Sequence, residues 1–183
     1  MENITNTIKL FEYYKSLGEN AIDQISDEAL LWAPDVKSNS IHVIIKHLHG
    51  NMLSRWTDFL TTDGEKNWRN RDGEFEETNE TREQILLEWN EGWDCVFNAL
   101  NQLTPDDLSK IVYIRNIGQS ADEAIMHQLT HYAYHVGQIV YLARLANEGD
   151  WKSLTIPKGE SVSFNQEKFG LEKREEHFTD LLK

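Results

Sequence analysis

Only one cysteine, Cys95, occurs among the 183 residues, which excludes an internal disulfide framework and leaves the fold to be held by a buried core. A chain of this length can bury one without staples. Basic residues are the scarce charge: 18 Lys and Arg stand against 31 Asp and Glu, a net charge of -13. That balance argues against a surface for a phosphate backbone, so no nucleic-acid partner is expected. The nearest basic patch, Trp68-Arg69-Asn70-Arg71, is crowded by acids on both sides. No apolar run approaches the roughly 20 residues needed to cross a bilayer, and Met1-Glu-Asn-Ile lacks the basic start and apolar stretch of a secretion signal. The expectation is a cytoplasmic protein with no membrane partner. No strand-rich region and no Gly-rich phosphate loop is present, so an α/β nucleotide-binding architecture has no support.

What the chain does have is helical periodicity. Four long patterns are predicted near residues 4–25, 40–61, 79–102 and 120–148. In the first, Ile8, Phe11 and Tyr14 form an apolar stripe, with Gly18 as a weak point, and Ser26 to Pro34 end it. Asn39-Ser40 caps the second, which carries Ile41, Ile44, Ile45, Leu48, Met52 and Trp56. Residues 63–77 are polar and read as a long loop joining two bundle halves. Thr81 with Gln84, and Ser120 with Glu123, match the capping box that opens a helix. Pro105 breaks the third pattern, and a short extended stretch follows from Lys110 to Arg115. Beyond Gly149 the chain has a loop around Pro157 and a short terminal helix from Leu171. With no internal repeat and no dividing linker, the reading is one all-α domain over 1–183. It is an antiparallel up-down four-helix bundle over about 4–148 with a C-terminal extension over 149–183.

The most informative motif is His127-Gln-Leu-Thr-His131-Tyr-Ala-Tyr-His135-Val-Gly-Gln138. Residues i and i+4 share a helix face, so adjacent histidines of this set stack. Neutral imidazole is the commonest protein metal ligand, and a stacked pair can grip one ion while a third ligand arrives from another helix. His127 and His135 are two turns apart, roughly 12 Å along the axis, so one adjacent pair must serve. A third ligand is sought among His42, His47 and His49 of the second helix. At 100° per residue His47 lies in the apolar stripe, whereas His49 is about 200° and His42 about 140° away, facing outward or flanking it. His47 is the inward candidate.

These residues, Ile45-Lys-His47-Leu and His131-x-x-x-His135-x-Gly137-Gln138, resemble the DinB-like family of bacterial damage-inducible bundle proteins over roughly residues 1–148. The resemblance implies a four-helix bundle of the DinB/YfiT-like type with one divalent metal held by His47, His131 and His135, and leaves His127 aside. Many members carry a basic residue directly after the last ligand, where this chain has Val136. It also implies a homodimer, and among relatives the activities are transfers or isomerisations that use low-molecular-weight thiols such as bacillithiol.

Three imidazoles leave the coordination sphere open, as in catalytic rather than structural sites. Zinc or nickel fits such ligands, and the donor type alone does not choose. Together with this open site, the resemblance implies a metal-dependent thiol S-transferase acting on a small-molecule substrate with a thiol cofactor. The alternatives are a non-catalytic metal-binding bundle or a metal-dependent hydrolase. Gln128 stands where a helical zinc protease would carry its glutamate base, which disfavours proteolysis. Asn51 and Gln138 fall one turn beyond His47 and His135, placed either to orient ligands or to pack. Trp56, Trp89 and Trp93 read as core. Arg55, Trp68, Arg69 and Arg71 read as a solvated loop or as an approach for an anionic cofactor. Cys95, within Trp93-Asp-Cys95-Val-Phe97, reads as a small buried side chain without chemistry.

Overall fold

The computed structural model describes residues 2–182. It is mostly helical, 59% of the chain, with one small two-stranded sheet. The helices are α1 (Glu2–Ile22), α2 (Asp27–Leu31), α3 (Ile41–Trp56), α4 (Arg82–Leu100), α5 (Ala121–Ala146) and α6 (Ser161–Phe169). β1 (Ile111–Ile114) and β2 (Ile117–Ser120) pair antiparallel, with Ile111 opposite Ser120 and Ile114 opposite Ile117.

The helix starts follow from their caps. Ser40 accepts the Val43 N–H at 3.2 Å to open α3, and Thr81 with Gln84 and Ser120 with Glu123 form the two capping boxes that open α4 and α5. The ends follow less well from sequence. α1 stops at Ile22, and Ser26, read as part of a break, instead caps the short α2 by accepting the Ala29 N–H. α3 stops at Trp56, about a turn earlier than periodicity suggests, because Thr57 is extended and Asp58 takes φ 51°. The stretch after Lys110 is the first arm of a hairpin. Its two loop residues, Arg115 and Asn116, sit at φ 52° and 63°, the left-handed region that a tight hairpin turn requires. The Asp63 carboxylate accepts both of their backbone N–H groups, at 2.9 and 2.8 Å. The helix expected from Leu171 lies earlier, at Ser161–Phe169, and a 3-10 turn spans Phe178–Leu182.

α3 packs along α4 and α1 along α5, while α3 also touches α5. Phe11 of α1, Trp56 of α3, Trp93 of α4 and Tyr132 of α5 meet in the core, each 2% exposed or less. Phe11 meets Trp56 edge-on at 5.9 Å and Trp93 meets Tyr132 at 5.7 Å, a geometry that aromatic quadrupoles favour. Gly18 is no weak point: a Cβ there would lie 2.6 Å from the Trp89 indole, so the glycine is what lets α1 and α4 approach. The α3 to α5 contact is the one that sets two histidine-bearing helices face to face.

Candidate metal centre

His47 projects from α3 toward α5, where His131 and His135 stack on successive turns. Their Nε2 atoms converge: His47 Nε2 lies 3.4 Å from His131 Nε2, which lies 3.1 Å from His135 Nε2. Two of the three tautomers are set by neighbours. The Nδ1–H of His47 donates to Glu74 Oε2 at 3.0 Å, and the Nδ1–H of His135 donates to Gln138 Oε1 at 2.7 Å. A neutral ring that donates through Nδ1 presents a bare lone pair at Nε2. His47 and His135 therefore both aim lone pairs at the His131 nitrogen, which has one proton at most to give there. Ligand atoms about 2.0–2.1 Å from a shared tetrahedral ion lie roughly 3.3 Å apart, which is the spacing found. These three are a group that can hold a metal ion.

Burial keeps the site in its neutral, ligating form. The His131 imidazole is pushed down to about 3, first by burial and then by the neighbouring His135 and His47 rings. His135 is lowered as well, chiefly by burial. A charged imidazole is disfavoured where solvent is excluded and like charges are near.

The rest of the site comes from the loop between α3 and α4. Glu74, 7% exposed, is gripped by Arg69, whose Nε and second terminal nitrogen donate to its two oxygens at 2.7 and 2.9 Å. Burial works against the charged carboxylate, but the hydrogen bonds from His47 and Arg69 hold its pKa below the ordinary range. Gly50 makes room for this: a side chain at that position would collide with the Glu74 carboxylate. Phe75 lies over the His47 ring at 5.0 Å with 30° between planes, and Tyr134 meets His135 at 4.9 Å. Both aromatic side chains are exposed and form an apolar rim.

The other sequence candidates fall out as follows. His127 is exposed and outside the cluster. His49 is half-buried, with Nε2 3.3 Å from Glu91. His42 does not face outward: it is fully buried, because α4 and the loop before it cover that flank of α3. Gln138 orients His135, whereas Asn51 accepts the Tyr132 hydroxyl at 3.1 Å within a core network completed by Trp56. Trp56, Trp89 and Trp93 are core. Arg69 and Arg55 are not free to meet an anionic cofactor, since Arg69 is committed to Glu74 and Arg55 to Glu65 and the Gly64 carbonyl. Trp68 and Arg71 are exposed. The sequence reading missed Glu74 and gave Arg69 a different role, though both belong to the site. They lie in a polar loop with no periodicity, and the only local signal was acid and base alternating at Glu65, Arg69 and Glu74.

The fold and this cluster together define a helical protein with a histidine group suited to a metal ion. Residues 1–160 match the family described as a protein of unknown function, DUF1572, and the chain belongs to that family. The family is DinB-like. No curated protein matches the chain. Among the described residues no helix is long and apolar enough to cross a membrane.

Proposed function

We propose that His47, His131 and His135 hold one divalent first-row ion, zinc or nickel, in an antiparallel up-down four-helix bundle, and that the protein is a metal-dependent thiol S-transferase. The observation that carries the metal is the set of Nε2 atoms at 3.1 and 3.4 Å with two Nδ1 positions tied down by Glu74 and Gln138. The transferase reading rests on the DinB-like resemblance together with the open coordination that three imidazoles leave. A bound ion would stabilise the thiolate of a small thiol, the nucleophilic form.

The chain's own residues have separable tasks. Glu74 and Gln138 fix the rings, and Arg69 keeps Glu74 ionised. Phe75 and Tyr134 supply apolar surface for the carbon skeleton of an electrophile. Hydrolysis is the weaker reading, because both oxygens of Glu74 are engaged and, among the described residues, the group holds histidines and no carboxylate to serve as a base for water. Cys95 is a poor nucleophile: burial pushes its thiol up.

The test is anaerobic metal analysis beside a thiol-transfer screen with bacillithiol and a generic electrophile. Wild type and Cys95→Ser are expected to turn over, and His131→Ala to lose ion and turnover together. Metal bound with no turnover across several thiols would favour the non-catalytic metal-binding reading. Turnover that survives metal loss but dies with Cys95 would overturn the assignment. A mass measurement in solution checks the homodimer expected from the resemblance.

A further inference from the structure

A second group of donors lies where α3 and α4 meet. His42 stands in the first turn of α3, Glu80 just before the Thr81 cap of α4, and Glu88 on α4 itself. One donor atom from each lies within 4.8 Å of the other two. Each residue also carries a buried polar atom with no hydrogen-bond partner: His42 Nδ1, Glu80 Oε2 and Glu88 Oε2. A buried polar atom left unpaired costs about 1–3 kcal/mol, so the two carboxylate oxygens, with His42 Nε2 3.2 Å from that of Glu80, call for a common partner.

An ordinary ion pair accounts for only part of this. His42 Nε2 approaches Glu80 Oε2 at 3.2 Å, yet that oxygen lacks the alignment of a hydrogen bond, and Glu88 is left out altogether. Lys46, whose charge bears on Glu88, spends its ammonium on the Glu76 carbonyl at 2.8 Å and on Thr78 Oγ1 at 3.4 Å. The site is otherwise built up: Thr78 donates to the far oxygen of Glu80 at 2.9 Å, as outer hydrogen bonds do for metal-bound carboxylates. Burial and the facing Glu80 carboxylate push Glu88 up to about 7, a strain that a cation between them would relieve.

We propose that His42, Glu80 and Glu88 form a second divalent-cation site, separate from the three-histidine group, with one imidazole and two carboxylates as donors. That donor set suits zinc and the harder first-row ions such as manganese. The loop between α3 and α4 then serves both sites, steadying one with Glu74 and furnishing a ligand to the other with Glu80.

Zinc is the probe. Full-length protein is stripped with a chelator, reloaded, passed through gel filtration, and its bound zinc counted by elemental analysis. Wild type is expected to retain two ions per chain, His131→Ala one, Glu88→Gln one, and the double variant none. Glu80→Gln should behave as Glu88→Gln, which guards against a single variant that fails to fold, and circular dichroism checks each. Equal zinc in wild type, Glu88→Gln and Glu80→Gln would overturn the proposal. So would wild type retaining a single ion that His131→Ala abolishes. A single ion lost in Glu88→Gln but kept in His131→Ala would instead uphold this site and sink the three-histidine one.

Discussion

Glu74 shows how much of the proposed metal centre can rest on a residue outside its three imidazoles. Its carboxylate takes the Nδ1 proton of His47 and both donors of Arg69, and the Arg69 side chain is only 2% exposed. Glu74→Gln keeps the shape but removes the charge that answers Arg69 and strengthens His47 as a ligand. Loss of such an outer partner typically costs 10–100-fold in metal affinity, and Arg69 is left with only Glu65, 3.9 Å away, to answer its buried charge. The expected outcome is zinc affinity weakened by about that factor in a competition titration, with a lower urea midpoint in the metal-free protein. Unchanged affinity would mean that the ring orientation of His47 is set by packing against Phe75 instead. The stripe of α3 singled out His47, and the repeat of α5 narrowed the pair to His127 with His131 or His131 with His135, between which only the family resemblance chose. Glu74 was not legible, since a loop residue reaches its partner across 27 positions by tertiary closure alone.

The capped beginnings of α3, α4 and α5 were readable, and the ends of α4 and α5 fell within two residues of the expectation, but the end of α3 did not, for a physical reason. A cap that opens a helix is a local contract between a side chain and an amide three residues on, and Ser40, Thr81 and Ser120 all honour it. An end such as Trp56 depends on what the chain must do next, here a left-handed Asp58 leading toward the loop held by Arg55 and Ser54 on the Gly64 carbonyl. A single apolar stripe also misjudges a helix with neighbours on several sides. α3 packs on α2, α4, α5 and the loop turn at Gly73–Phe75, so His42 is buried although it lies off the stripe. Gly18 repeats the lesson, being a contact and not a weakness. Gly18→Ala would gain about 0.8–1 kcal/mol in helix propensity but place a methyl 2.6 Å from Trp89, and overpacking of this kind costs about 1–3 kcal/mol. The net is a destabilised protein by urea unfolding, while Gly18→Ala with Trp89→Phe should recover part of the loss. A stabilised single variant would show that α1 moves freely against α4.

The three-histidine cluster also couples the stability of the whole fold to pH, and the sign is fixed by where protons go. In the unfolded chain His131 titrates near its ordinary 6.5, but in the fold it stays neutral down to about 3, and His135 is shifted the same way. As pH falls from 6.5 toward 3 the unfolded state takes up protons that the folded state refuses, so the metal-free protein loses stability across that window. Glu88 works in the opposite sense. Raised to about 7 from 4.5, it favours the fold fully below 4.5 and loses that contribution as pH rises toward 7. The two effects separate by variant. Replacing His131 with Ala should flatten the acid limb of a urea midpoint against pH profile in chelator-treated protein, whereas Glu88→Gln should remove the decline between 4.5 and 7 and leave the acid limb in place. Zinc should stabilise the wild type most near neutral pH and progressively less as protons compete for the imidazoles. A wild-type profile parallel to that of His131→Ala from 6.5 to 3 would mean that the ring is hydrated enough to titrate normally.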